Sequence, residues 1–147
     1  MSDSTAVRPT VLYLLKRAQQ AARAALDESL RPLGVSASQV AVLRRLDEAP
    51  GLSGAELARR CWVTAQTMNE VLGSMEGAGL VRRQADAAHG RIVRTNLTAL
   101  GRGLLSRCNG VIDDVSERML CGLLPQDRDA LAGLLERCAR ALERSNP

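Results

Sequence analysis

The chain has 147 residues, which suits one domain or one domain with an extension. Apolar residues make up 46%, so a packed core is within reach. A formal net charge of +4 with a pI ≈ 9.3 permits nucleic acid or an anionic surface as partner without requiring either. The polar opening MSDSTAVRPT and the short apolar VLYLL, stopped at Lys16, leave no signal peptide or transmembrane segment, so a cytoplasmic protein with no membrane partner is expected.

In chain order, Leu14, Leu15, Ala18, Ala22, Ala25 and Leu26 recur at three and four, predicting a long helix over about 10–31. RPLG at 31–34 stops it. Ser36 or Ser38 caps the next helix, whose apolar stripe is Val40, Leu43 and Leu46 and whose end is APG at 49–51. Ser53 followed by Glu56 reads as a capping box opening a short helix that ends near Arg60. CWV is then a turn, and Thr64 caps a second helix. Two short helices joined by a tight turn form a helix-turn-helix pattern. Leu80, Val81, Arg82 and Arg83 read as a strand, and RIVRTNLT at 91–98 alternates as a second. QADAAHG between them is turn-prone, giving a two-stranded hairpin placed as a wing. Thr98 caps a long helix striped by Leu104, Leu105, Cys108, Val111, Ile112, Val115 and Met119. Pro125 suits the first turn of a last helix carrying Leu131, Leu134, Leu135, Cys138 and Leu142.

The expected architecture is mainly α. A winged helix-turn-helix core spans about 36–97, and helical regions at about 10–31 and 98–145 carry more apolar face than so small a core can cover. A second copy covering that face gives a two-fold dimer; packing of the flanking helices only on each other is the lesser alternative.

The helix opened by Thr64 sets Val63, Met68, Val71, Leu72 and Met75 on one side and Thr64, Gln66, Thr67, Asn69 and Glu70 on the other. An α-helix fits the major groove of B-DNA. Gln and Asn bond bidentately to adenine, and Thr reaches several base edges or the thymine methyl. Gln66, Thr67 and Asn69 are therefore the candidate base readers, with Thr64 a helix cap that also touches phosphate. An ordinary solvated face fits this helix alone about equally well. The capping box before it and the hairpin after it favour DNA, with Ser53 among the candidate contacts. In the hairpin, Arg82, Arg83, Arg91 and Arg94 face a single acid, Asp86. Arginine at a wing tip suits the narrow minor groove, where the potential is most negative. Arg91 is the first choice and Arg82 the second. Strand alternation prevents all four from facing DNA. Lys16 is the only lysine among 20 basic residues, and guanidinium forks suit phosphate; a genome rich in Arg and Ala codons explains the bias equally well.

The stretch LSGAELARRCWVTAQTMNEVLGSMEGAGLVRR, followed by LTALGRGLL, resembles the MarR family of winged-helix transcriptional regulators over nearly the whole chain. The resemblance implies a single domain over 1–147. It further implies a homodimer on a pseudo-palindromic operator of double-stranded DNA, a repressor, and release by a small phenolic ligand or aromatic carboxylate. It also implies an effector pocket between the first helix, the second helix and the first of the C-terminal long helices. Tyr13 and Arg17, four apart on the first helix, are candidate ligand contacts; an amphipathic pair at a dimer surface accounts for them at least as well. At the wing tip the family's Asp-x-Arg is HGR here. His89 stands in the acid's place, and Arg91 loses the charge partner that would brace it. Leu124 stands where a Ser or Thr cap is common.

Other chemistries fit poorly. Cys61, Cys108, Cys121 and Cys138 form no C-x-x-C pair, and His89 is the only histidine, so neither a metal site nor a cofactor is expected. The cysteines read as small buried apolar groups, with Cys61 the best candidate for a redox-sensing thiol. Tyr13 and Trp62 are the only aromatics, too few for the stacking platform of a single-strand or RNA binder. No nucleophile is paired with a base, so no enzyme is expected. The runner-up is a winged-helix interaction module that does not read DNA, because fold does not fix function. Such a module needs apolar anchors on the exposed helix face, where this chain has Thr, Gln and Asn.

Overall fold

The computed structural model describes residues 10–144. The polar stretch 1–9, and with it the absence of a signal peptide, lies outside them, as does residue 145 of the expected dimerisation region. Helix α1, Val11–Leu30, begins at the Thr10 cap, which accepts from the Tyr13 N–H. A short tight turn, Arg31–Leu33, with Gly34 in the left-handed region, separates it from α2, Ala37–Glu48. Ser36, not Ser38, caps α2, and Gln39 returns the bond to the Ser36 N–H. The Asp27 carboxylate accepts from the Ala37 N–H at 2.7 Å, placing an anion at the positive end of α2. Helix α3, Gly54–Arg60, opens with the expected Ser53–Glu56 box, and α4, Ala65–Gly77, with the Thr64 cap.

The hairpin is longer at one end than the sequence suggests. Strand β2 is Val81–Ala85 and β3 is Val93–Leu97, in antiparallel register from Val81 opposite Leu97 to Ala85 opposite Val93. Gln84 and Ala85, read as turn in the sequence, join the ladder, which Asp86 continues by donating to the Ile92 carbonyl at 2.7 Å. The two-stranded wing also gains a third member. Leu52–Ser53, here β1, pairs with β3 through Thr95 and Arg94, giving the order β1-β3-β2. Two residues are too short for any alternation to announce them.

Helix α5, Ala99–Leu120, starts against the base of the wing. Thr98 donates to the Gly79 carbonyl at 2.6 Å and accepts from the Gly101 N–H. A Cβ at Gly101 would land on the Leu80 carbonyl oxygen, so only glycine permits this approach. The last helix, α6, is Pro125–Glu143; Leu124 precedes it with no side-chain cap, and Pro125 fills the first turn.

Two compact units divide the chain between Val115 and Ser116. In the first, Leu30, Leu43, Leu46, Leu57, Met68, Leu72, Met75 and Cys108 are fully buried among α1–α5. Each large side chain so removed from water contributes about 1.5–3 kcal/mol. Val11, Leu12, Tyr13, Leu14 and Leu15 at the start of α1 stay exposed. In the second unit, Leu134, Leu135 and Leu142 of α6 are also exposed, and ion pairs Arg128–Glu117 and Arg140–Glu136 lie on its surface. Among the described residues, no helix is long and apolar enough to cross a membrane.

Candidate nucleic-acid interface

Helix α4 is held from below. Met68, Leu72 and Met75 of α4 are buried, while Ala65, Gln66, Thr67, Asn69, Glu70 and Ser74 are exposed. No large apolar side chain of α4 is exposed. Thr64 Oγ1 accepts from the Thr67 N–H at 3.1 Å and donates to Thr67 Oγ1 at 3.0 Å. Thr64 therefore uses its hydroxyl within the cap, whereas Thr67 keeps its own hydroxyl hydrogen. The side chains of Gln66 and Asn69 make no hydrogen bond among the described residues and are open to a ligand. Asn69 also lies close to the start of α3: a Cβ at Gly54 would stand 3.7 Å from Asn69 Oδ1. Ser53, half-buried, accepts from the Glu56 N–H at 3.3 Å, and its backbone N–H donates to the Glu56 carboxylate at 2.8 Å. The Ser53 backbone N–H first, and then the Ser53 side chain, hold the Glu56 carboxyl below its usual range.

The four wing arginines separate by strand face. Arg83 shares the inner face with buried Thr95 and donates to Glu76 at the end of α4 at 2.9 Å. Arg94, on the outer face, donates from Nε to Asp86 at 2.8 Å. Arg82 and Arg91 are exposed and form no ion pair among the described residues. Asp86 also accepts from the Ala88 and His89 N–H groups at 2.8 and 3.1 Å. The Arg94 guanidinium, then these two amides, hold its carboxyl below the usual range. The wing's acid is thus engaged by Arg94 and by the turn, and Arg91, without an ion pair among the described residues, stands at the tip beside exposed His89.

The turn between α3 and α4 carries a feature the sequence does not announce. Trp62 has φ 58°, in the left-handed region, and is 79% exposed. Val63 donates to the Ala58 carbonyl and Trp62 to the Arg59 carbonyl. This is the hydrogen-bond pair of a helix stop whose left-handed position usually holds glycine. Behind the turn lies a groove of about 480 Å³ between α1, α2, Trp62 and Ile112 of α5. Its floor includes Leu30, Val40 and Ala41. Among the described residues, Arg44 and Arg60 line it without ion-pair partners, whereas Arg45 is held by Glu48 at 2.8 Å. A second cavity of about 300 Å³ lies between α1, α2 and α4 and is lined in part by Thr67. Tyr13 and Arg17 are exposed on α1 and line neither space.

Cys61 is half-buried, and burial pushes its thiol up, which disfavours the thiolate that oxidants attack. Cys108 is buried, but Cys121 and Cys138 are exposed, against the expectation that all four cysteines are core groups. Cys121 lies in the turn after α5 and Cys138 on α6. Among the described residues, no group of three or more His, Cys, Asp or Glu could hold a metal ion.

The MarR family profile matches residues 33–92, which span α2 to the wing tip. The HTH-type transcriptional repressor Rv2887 of Mycobacterium tuberculosis is 42% identical over 118 residues, covering 80% of this chain and 85% of its own length. The crystal structure of that MarR family protein with salicylic acid superposes with a TM-score of 0.76 at 38% identity, over 90% of this chain and 98% of the other. Its crystal structure with DNA gives 0.77 at 35% identity, over 89% and 98%.

Proposed function

The chain belongs to the MarR family, and from that premise we propose that it is a homodimeric, sequence-specific DNA-binding regulator, a repressor released by a small aromatic or phenolic ligand. The observation that carries this reading is the hydrogen-bonding set Gln66, Thr67 and Asn69 exposed on α4, raised on buried Met68, Leu72 and Met75 and flanked by two wing arginines without ion pairs among the described residues. Gln66, Thr67 and Asn69 read base edges in the major groove. Arg91 enters the minor groove, and Arg82 holds backbone phosphate. Ser53 and Thr64 stand at the starts of α3 and α4, where the free N–H groups favour phosphate. The Thr64 cap makes it an organiser of the reading helix more than a reader. The apolar side chains exposed on α1 and α6 are covered by a second copy, which places two reading helices about one turn of DNA apart. The protein acts in the cytoplasm and by binding, not catalysis.

The effector site that fits best is the groove behind Trp62. Apolar floor, exposed indole and the free guanidinium groups of Arg44 and Arg60 suit a flat ring bearing a carboxylate. Tyr13 and Arg17 lie outside this groove; their contribution requires the second copy.

Residue types divide the test. Gln66→Ala or Asn69→Ala should cost about 1–3 kcal/mol on the preferred duplex and relax preference at one position. Arg91→Ala should weaken all sequences alike and reduce the salt slope by about 0.9. Anisotropy titrations at several salt concentrations separate the two patterns. Unchanged affinity and preference in Asn69→Ala would remove it as a base reader.

A further inference from the structure

Arg94 touches three separate pieces of the reading lobe. Its Nε donates to Asp86 in the wing turn at 2.8 Å. Its Nη1 lies 3.3 Å from the Gly51 carbonyl, ahead of β1, and 3.7 Å from the Glu56 carboxylate in the first turn of α3. Asp86 in turn fixes the tip by accepting from Ala88 and His89, and Glu56 fixes the start of α3 through the Ser53 N–H. The register reinforces the arrangement, since Arg94 pairs across the sheet with Ser53 on one side and Gln84 on the other. One guanidinium thus links the hairpin tip to the helix-turn-helix. A rigid planar fork can satisfy several acceptors at once in a way that an ammonium cannot.

We infer that Arg94 is a positioning residue for DNA binding, a clamp that sets the wing's angle against α3 so that Arg91 engages DNA together with the α4 face. The inference rests on the DNA-reading function proposed above. With His89 in the place of an acid that would brace Arg91, the hairpin's brace sits lower, between Asp86 and Arg94. Arg94 is half-buried and turned toward acids and a carbonyl, so direct phosphate contact is not its role.

Asp86→Asn is the informative variant. Asparagine keeps an oxygen for the Ala88 and His89 amides but removes the charge that holds Arg94. It also removes a negative charge from the basic wing, so simple electrostatics would tighten DNA binding. The clamp gives the opposite sign. Binding of the full chain to an operator duplex, selected with the wild type, should weaken roughly tenfold, the size of one lost charge-assisted contact. Arg94→Met should behave alike, and if it fails to fold, Asp86→Asn decides alone. In an Arg91→Ala background the same change should add almost nothing, because the wing contact it positions is already gone. Binding as tight as wild type, or an equal loss with and without Arg91, would overturn the clamp. If the wild type prefers no duplex over random DNA, the DNA reading itself fails. Hydrogen exchange then tests the clamp: faster exchange of the 86–92 amides in Asp86→Asn supports it, and unchanged exchange overturns it.

Discussion

Helices α4 and α6 are both amphipathic, yet their apolar sides end differently. In α4, Met68, Leu72 and Met75 are completely covered by the chain's own core. In α6 no residue is buried, and Leu134, Leu135 and Leu142 remain 54%, 45% and 71% exposed. The start of α1 shows the same openness. The same helical periodicity therefore serves two purposes. In α4 it fixes the helix within one chain, so the backbone that carries the polar side chains above is held in place by the core. On α1 and on α6, each taken by itself, it leaves apolar side chains exposed. Exposed apolar area of this kind marks an interaction site.

The comparison breaks most easily at Leu72. Leu72→Ala should lower unfolding stability by about 2–5 kcal/mol at any protein concentration, as read by denaturant titration. Leu135→Ala should leave the fold of the single chain nearly intact but shift the monomer–dimer balance, as read by sedimentation. Concentration-independent loss in both variants would erase the distinction. Next comes Gly101→Ala, where α5 meets the Leu80 carbonyl. Because backbone must move, a cost of about 1–3 kcal/mol is expected, with weaker DNA binding as the wing base shifts. The smallest effect belongs to Trp62→Gly. It relieves a left-handed tryptophan and should raise stability by about 1 kcal/mol, while weakening any aromatic effector that rests on the indole. A melting curve with and without salicylate reads both.

Most of the architecture was legible because its signals are local. Ser53 with Glu56, Thr64, Thr98 and Pro125 announce helix starts by chemistry that works within four residues. The wing was legible from alternation, which also says that Arg82 and Arg83 must part faces. What depends on distant partners was not. Strand β1 exists only because β3 passes beside it. Arg83 and Arg94 look like Arg82 and Arg91 in the sequence, and only the fold shows Glu76 beside one and Asp86 beside the other. Asp86 is visible as the wing's lone acid, but not its hold on both the turn and a strand. Trp62 gave no warning, since the left-handed turn uses a residue that ordinarily avoids it. Tyr13 and Arg17 share a helix face as their spacing implies, but neither the groove behind Trp62 nor the cavity beside α4 reaches them.

The central claim is that α4 reads sequence and that two copies do so together. The most direct measurement is selection of genomic fragments from the source organism by the purified full-length chain, then titration of the winners at two salt concentrations. A short inverted repeat, with half-sites about 10 bp apart and bound far more tightly than random duplex at both salts, is the expected result. Weak binding, indifferent to sequence and abolished by modest salt, would mean that only the arginines engage phosphate, and would contradict it.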